Sequence, residues 1–165
     1  MKLKDQAFYY HEEITENKLS KAAIWELKHK LNKENLARLE EIIEEFGWPS
    51  NSLVKGSAAQ AAFLIVQHAD LATQKKYLPL MREAADNGEA SWASLALLID
   101  RIEMREGRPQ VFGSQITGDG NGNLSVYEIK DPEYVNQRRK EVGLGPIEEY
   151  IKIWDLEWTV EQKEK

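Results

Sequence analysis

Cysteine is absent from the 165 residues of this chain. Its absence excludes disulfides, thiolate metal sites and cysteine nucleophiles, and it is compatible with a reducing, cytoplasmic location. Long hydrophobic runs are also lacking, because the apolar segment 57–66 is far shorter than the roughly 20 residues that span a bilayer. The N-terminal residues carry positive charge without an apolar stretch behind them, which does not indicate a signal peptide. We therefore expect a soluble cytoplasmic protein with no membrane partner.

Positive charge is in the minority. The chain has 22 Lys and Arg against 28 Asp and Glu, a net charge of −6. Strong binding to a phosphate backbone needs a basic surface, so we expect no nucleic-acid partner. With 42% hydrophobic residues, the composition predicts a single globular domain over 1–165 that can bury a core. Only the tail 161–165 is expected to be disordered.

Apolar residues repeat at helical spacing through most of the chain. Ser20 is a predicted N-cap, Asn32 is a second one, and Gly47 ends the helix that follows it. Further helices are predicted at 56–70, 72–87 and 89–106. Pro79 lies inside the second of these and is expected to kink or split it.

The pattern changes between Gln110 and Ile129, where short apolar runs flank a loop rich in glycine and asparagine. This indicates a β-hairpin, and the loop lacks the glycine and glutamate that an EF-hand calcium site requires. Asp131 is the predicted N-cap of a helix that Gly143 ends, and Pro146 begins the last helix. The fold class is therefore predicted to be mainly α, a single-domain helical bundle with one β-hairpin over its ends.

Polar groups follow directly on two apolar helical runs. His68 and Asp70 end the first run, and Asp100 and Arg101 end the second. His68 shares a helical face with Leu64 and Ile65, one turn earlier, which predicts that it points to the interior. It is either a structural histidine bonded to a carbonyl or carboxylate, or a general acid or base whose orienting partner is Asp70 or Asp100. His11 and His29 are expected on the surface.

The sequence offers little for a metal ion or another cofactor. His-x-Asp is too common to identify zinc or iron, and no second histidine lies near His68. We therefore predict neither a metal site nor a cofactor.

A third polar segment follows the second run after only three residues. Gln110 and Ser114 are expected on one face of a strand and Gln115 on the other, and Gly113 would permit the close approach of a backbone or ligand. Ser114 is a candidate ligand-binding residue, and the two amides either contact a ligand or make structural hydrogen bonds. Arg101 and Arg138 are candidates for an anion clamp, because a guanidinium can hold a carboxylate or phosphate with two parallel bonds. A helix-end ion-pair network is the alternative for the charged groups.

The order of these motifs resembles a bacterial family known only as a domain of unknown function, over almost the whole chain. The motifs that carry the resemblance are Asp5-Gln6, Gly47-Trp48-Pro49, Gln67-His68-Ala69-Asp70, Asp100-Arg101, the segment from Gly107 to Gln115, and Arg138-Arg139 with Val142-Gly143-Leu144. Phe112 stands where the family pattern has tyrosine, and Asn136 where it has aspartate, so neither is a candidate for acid chemistry or metal binding here. The resemblance implies that the motif residues belong together, and it implies no activity.

Two functions fit these observations, and the residues do not decide whether the protein is an enzyme. The first is an enzyme or binding domain for a polar, anionic small molecule or peptide group. In it His68 is the acid or base, the two arginines clamp the anion, and the amides of Gln110 and Gln115 orient it. The second is a protein-interaction module of the inhibitor or immunity type, which uses its acidic helical surface and in which the polar cluster only fixes the fold. An open cavity at the cluster would favour the first, and a sealed cluster the second.

Overall fold

The computed structural model describes residues 20–54 and 56–164. The predictions made for Met1–Gln6 and His11, and for Lys165, lie outside these residues. The described part contains six α-helices and one two-stranded antiparallel sheet, which confirms a mainly α fold with one β-hairpin. The chain divides into two compact units, Met1–Asp70 and Leu71–Lys165. The prediction of a single domain stays a prediction.

The first unit is built on a long helix, α1, which spans Lys21–Phe46. Ser20 is its N-cap, as predicted, and its hydroxyl accepts a hydrogen bond from the backbone N–H of Ala23 at 3.2 Å. The helix runs through Asn32, so the predicted second N-cap is wrong. Asparagine costs only a fraction of a kcal/mol in a helix interior, roughly 0.7 or less, and the apolar spacing continues on both sides of it. Gly47 ends the helix with a φ of +77°.

Helix α2 spans Gly56–His68 and packs against α1. Its apolar run has a buried face and an exposed face. Ala62, Phe63, Ile65 and Val66 are buried, whereas Leu64 is 44% exposed. The side chains one turn beyond Leu64 therefore continue an outer face of the helix.

The second unit begins with a helical pair, α3 at Leu71–Asp86 and α4 at Trp92–Arg105. The two helices pack through buried apolar side chains, among them Tyr77 and Met81 on α3 and Leu95, Leu98 and Ile102 on α4. Helix α3 continues through the exposed Pro79, so the proline does not split it. Helix α4 starts later than predicted because Ser91 caps it, accepting from the N–H of Ser94 at 3.3 Å.

The predicted hairpin is present. Strand β1, Ile116–Gly118, pairs with strand β2, Leu124–Val126, and Thr117 lies opposite Ser125. The loop between the strands, residues 119–123, is exposed. Within it the Asp119 carboxylate accepts from the N–H groups of Asn121 at 2.8 Å and Asn123 at 3.2 Å. The loop thus uses its own carboxylate to hold a turn.

Two short helices complete the second unit, α5 at Val135–Glu141 and α6 at Ile147–Ile151. A 3₁₀ turn precedes α5, and Asp131 before it has a φ of +42° and makes no side-chain cap bond, so its predicted role as N-cap is wrong. Four buried side chains form the core between these helices and the hairpin: Ile129, Val135, Ile147 and Ile151. None of the helices in the described ranges is long and apolar enough to cross a membrane.

The C-terminal tail differs from its predicted disorder as far as residue 164. The Gln162 side chain accepts from the N–H of Asn136 at 3.0 Å and donates to the carbonyl of Pro132 at 3.1 Å. Asn136 is the second residue of α5, where a backbone N–H lacks a partner within the helix. A polar tail therefore becomes ordered by capping a helix that begins about 30 residues earlier in the chain.

Gln162→Ala tests this cap. We expect a loss of about 1 kcal/mol of unfolding free energy, because the N–H of Asn136 and the carbonyls of Pro132 and Val160 lose their partner. Thermal unfolding and hydrogen exchange at the Asn136 amide measure it. The exposed neighbour change Glu161→Ala is the control. Equal stability and equal exchange in the two variants would show that the tail does not cap α5.

Candidate functional site

A buried carboxylate lies near the C-terminal end of α4. Asp100 is 0% exposed. Its Oδ1 accepts from the N–H groups of Val111 at 2.7 Å and Phe112 at 2.8 Å, and its Oδ2 accepts from the N–H of Ser114 at 2.9 Å. The loop 110–115 therefore wraps around one side chain. We use the name lock for an assembly of three parts. They are Asp100, the loop 110–115 and the side chains that hydrogen-bond to this loop.

The strand predicted at Gln110 to Gln115 is wrong. Only Gln110 makes an isolated bridge, with Ile129, and strand β1 starts at Ile116. Successive N–H groups of a strand point to opposite sides. In this loop the N–H groups of Val111 and Phe112 both point to one carboxylate oxygen, so the backbone cannot be extended there.

Gln110 holds the ends of the loop together. Its side-chain Oε1 accepts from the N–H of Gln115 at 2.8 Å, and its Nε2 donates to the carbonyl of the same residue at 3.0 Å and to that of Tyr127 at 2.8 Å. Gln110 is 0% exposed and Gln115 is 6% exposed. The Gln115 amide donates to the Ser114 hydroxyl at 2.9 Å. Of the two roles left open for these amides, the geometry favours structural hydrogen bonding.

Two arginines of α5 hold carbonyls of the same loop. The Nε of Arg138 donates to the carbonyl of Val111 at 2.8 Å, and an Nη donates to that of Lys130 at 2.5 Å. Arg139 is 2% exposed and donates to the carbonyl of Phe112 at 2.7 Å. Burial lowers the pKa of both guanidinium groups. The Arg138 side chain is thus engaged with backbone carbonyls, which does not favour its predicted role in an anion clamp.

Sequence reasoning missed Arg139 and Tyr150 as members of the lock. The Tyr150 hydroxyl donates to the carbonyl of Ser114 at 2.9 Å, and the Arg139 guanidinium carbon lies 4.9 Å from the centre of its ring. Burial raises the pKa of the Tyr150 hydroxyl. The one available signal was the paired Arg138-Arg139, since two adjacent arginines on a short helix cannot both point to solvent if that helix packs on two sides.

Gly113 lies where the loop meets the apolar core. Its φ is +71°, and a Cβ placed on it would lie 2.6 Å from Ile147 Cδ1 and 2.8 Å from Ile129 Cδ1. The close approach expected at this glycine is therefore made by two core side chains. A residue with a side chain would meet both a strained backbone and a steric overlap.

The electrostatics of Asp100 reflect its burial. Desolvation raises the pKa of its carboxyl, and the backbone N–H donors of Phe112, Ser114 and Val111 oppose that rise because they favour the ionised form. These donors use both carboxylate oxygens. The arrangement stabilises a loop, and it leaves Asp100 no contact with solvent through which it could meet a substrate.

Arg101 differs from the lock residues. It is partly exposed, its Nε is buried, and no residue described in the second unit accepts a hydrogen bond from its guanidinium. Burial lowers its pKa, the positive charge of Arg105 lowers it further, and Tyr150 acts in the opposite direction. No carboxylate is among these influences. A half-buried cation whose pKa no described carboxylate raises is electrostatically suited to bind an anion.

His68 and Asp70 lie at the end of the first unit, and both are exposed. The prediction that His68 points to the interior is wrong, because His68 continues the exposed side of α2 that carries Leu64 and not the buried side that carries Ile65. His29 is exposed, as predicted. The pairing of His68 with Asp100 stays a prediction. Within residues 20–54 and 56–164, no group of three His, Asp or Glu side chains could hold a metal ion.

Comparison with known proteins identifies one family. A family model described as a family of unknown function, DUF6624, matches residues 1–163. No curated protein and no solved structure matches the chain. The match confirms the resemblance to a family without an assigned function, and it assigns no role to any residue.

Asp100→Asn tests whether the lock depends on the carboxylate. Asparagine keeps the volume but replaces one accepting oxygen by an NH₂ group, which then faces backbone N–H donors. We expect a loss of about 3 kcal/mol in unfolding free energy, measured by denaturant titration.

Asp119→Asn is the matched control for this substitution. Its carboxylate also accepts from two backbone N–H groups, but in a solvent-exposed loop. The expected loss is below about 1 kcal/mol. Similar losses in the two variants would contradict a special role for the buried carboxylate.

Gly113→Ala tests the close approach to the core. The left-handed φ and the overlap with two isoleucines together predict a loss of about 3 kcal/mol. Gly107→Ala is the control, because Gly107 has a φ of +73° with no atom within 4 Å of its Cβ position. It should lose only about 1 kcal/mol. If both variants melt at the same temperature, the overlap carries no cost.

Proposed function

For a chain that belongs to the DUF6624 family, whose function is unknown, we propose a binding function: the protein holds an anionic group at Arg101. The ligand is a carboxylate or phosphate carried by a small molecule or by a peptide. The observation that supports this proposal is the partly buried guanidinium of Arg101, which has no acceptor among the described residues of its unit. The lock acts as the scaffold that places Arg101.

The chain position of Arg101 supports this division of roles. Arg101 follows Asp100 directly on α4, and adjacent helical residues point about 100° apart. The Asp100 side chain therefore points to the loop and binds α4 to it, while the Arg101 side chain points away from the lock. Three hydrogen bonds join Asp100 to the loop, and holding α4 in place in this way would lower the entropy cost of binding at the neighbouring side chain.

Binding is favoured over catalysis by the state of the other polar groups. Catalysis by general acid or base needs a titratable group within reach of the substrate. In the second unit, the buried Asp100 carboxylate and the Tyr150 hydroxyl are both bonded to loop backbone. The exposed His68 remains the candidate acid or base if the protein is an enzyme, with Asp70 beside it.

A second function is favoured by the sealed lock itself. Asp100, Gln110, Ser114, Gln115 and Arg139 are all less than a tenth exposed, so the polar cluster fits a purely structural role. In that case the protein is an interaction module of the inhibitor or immunity type. Helix α1 would supply the surface, since Glu41, Glu44 and Glu45 are exposed beside Phe46, which is 58% exposed.

Thermal shift against a panel of anions tests the proposal, with inorganic phosphate, citrate, glutamate and a short acidic peptide as probes. We expect at least one anion to raise the melting temperature of the wild type, and the effect to weaken with salt. Arg101→Lys should weaken the affinity about tenfold, because a point charge replaces the planar fork.

Two further variants complete the design. Arg82→Gln removes an exposed positive charge from α3 in the same unit and should leave the affinity unchanged. Arg138→Lys should lower stability without ligand, because its carbonyl contacts are lost, while the folded fraction still binds the anion. If no anion stabilises the wild type, or if Arg101→Lys and Arg82→Gln respond alike, the anion site is wrong and the interaction module is the better assignment.

A further inference from the structure

The loop between β1 and β2 carries an Asn-Gly pair, Asn121-Gly122, and every residue from 117 to 125 is exposed. Asparagine followed by glycine is chemically the most labile asparagine context. The glycine has no side chain to hinder its nitrogen, which can reach the side-chain amide carbon of the preceding residue. What decides the rate in a folded protein is whether that nitrogen is free to react.

The second unit contains the same dipeptide twice. Asn87-Gly88 follows α3 and is also exposed. There the Gly88 N–H donates to the carbonyl of Ala85 at 3.0 Å, and the Asn87 N–H donates to that of Glu83 at 3.1 Å. The nitrogen that would attack is therefore held in the hydrogen bonds that end a helix.

The hairpin loop leaves this nitrogen free. The Asp119 carboxylate binds the N–H groups on both sides of it, those of Asn121 and Asn123, but not that of Gly122. Among the described residues, nothing accepts a hydrogen bond from the Gly122 N–H. Gly122 also has a φ of +99°, which only glycine adopts without strain. The loop is thus anchored around the reactive pair, while the attacking nitrogen belongs to an exposed residue and makes no hydrogen bond to the described residues.

We infer that Asn121 is a site of spontaneous deamidation in the folded protein and that Asn87, in the same dipeptide, is protected. The Gly122 nitrogen loses its proton to solvent and attacks the Asn121 side-chain amide carbon. A carbon–nitrogen bond forms, the bond to the amide nitrogen breaks, and ammonia leaves. Water then opens the resulting succinimide ring at either carbonyl, which yields aspartate or isoaspartate. The only co-reactant is water, and no oxidant or reductant takes part.

The neighbouring Asn123 offers a second comparison within the loop. The Asp119 carboxylate bonds to the side-chain amides of both Asn123 and Asn121, so the difference lies in the residue that follows. Asn123 precedes Leu124, whose side chain hinders the backbone nitrogen, and it should therefore react more slowly than Asn121 although both are exposed. Reaction at Asn121 adds a negative charge next to Asp119, and the isoaspartate form adds one methylene to the backbone of the turn.

The test is a time course with the full chain in mildly alkaline buffer made with water enriched in heavy oxygen, followed by peptide mapping with mass spectrometry. Label incorporation separates reaction during incubation from reaction during digestion. We expect the peptide with Asn121 to deamidate at least about fivefold faster than the peptide with Asn87, since the Gly88 N–H must first break a hydrogen bond.

A parallel time course in concentrated guanidinium chloride removes the fold, and there the two sites should react at similar rates. The variant Asn121→Gln should abolish the product in the hairpin peptide and leave the rate at Asn87 unchanged. The inference is overturned if the folded protein deamidates Asn87 as fast as Asn121. It is also overturned if the preference persists in denaturant, or if Asn121→Gln forms the product as fast as the wild type and the product maps to Asn123.

Discussion

The second unit depends on one buried carboxylate that accepts three backbone hydrogen bonds. Asp100 is removed from water, and this is tolerable only because Val111, Phe112 and Ser114 direct their N–H groups at it. That requirement bends the backbone away from a strand. It also determines which residue can stand at position 113, because the same bend brings the chain within contact distance of Ile129 and Ile147. The polar and apolar constraints on the loop are therefore coupled.

The carbonyls of the loop need hydrogen-bond partners as much as its N–H groups do, and side chains other than Asp100 donate to them. Arg138, Arg139 and Tyr150 donate to the carbonyls of Val111, Phe112 and Ser114. One carboxylate therefore accepts from the N–H groups of the loop, and two guanidinium groups and one phenol hydroxyl donate to its carbonyls. A segment of a sheet or helix would make these hydrogen bonds with other backbone groups. Here side chains replace the missing secondary structure, which explains why so many long polar side chains are buried in a unit whose strands have only three residues each.

Local signals in the sequence were sufficient for much of the fold. The N-cap at Ser20, the helix end at Gly47 and the hairpin each depend on a few neighbouring residues, and each is confirmed. Asp100, Gln110, Ser114 and Gln115 are buried, and the sequence marked them only as polar groups beside apolar runs. The strand at 110–115 failed because three N–H groups were recruited by a residue at least eleven positions earlier. Alternation within the segment carries no information about that partner.

The errors at His68 and Asp131 have the same origin. Helical periodicity correctly placed His68 on the face of Leu64, but which face of α2 is buried depends on what packs there. Asp131 precedes a proline in an ideal capping sequence, yet its carbonyl accepts from Arg138 at 3.2 Å in a left-handed turn. At Asp131 the contact with α5 outweighs a local capping preference worth about 1 kcal/mol.

Two adjacent residues on α4, Asp100 and Arg101, differ in whether their charged groups are bound within the fold. Asp100 and Arg101 carry opposite charges, but the helix directs them about 100° apart, so neither can neutralise the other through a direct contact. Both carboxylate oxygens of Asp100 accept hydrogen bonds from the loop. The Arg101 guanidinium has neither a carboxylate nor a carbonyl acceptor among the described residues of its unit, and Arg105 raises the local positive potential. A guanidinium that is partly desolvated and unpaired raises the free energy of the folded protein, and binding an anion removes part of that cost. This distinguishes Arg101 from Arg138, whose donors are engaged with carbonyls, and it is the reason for proposing the anion site at Arg101.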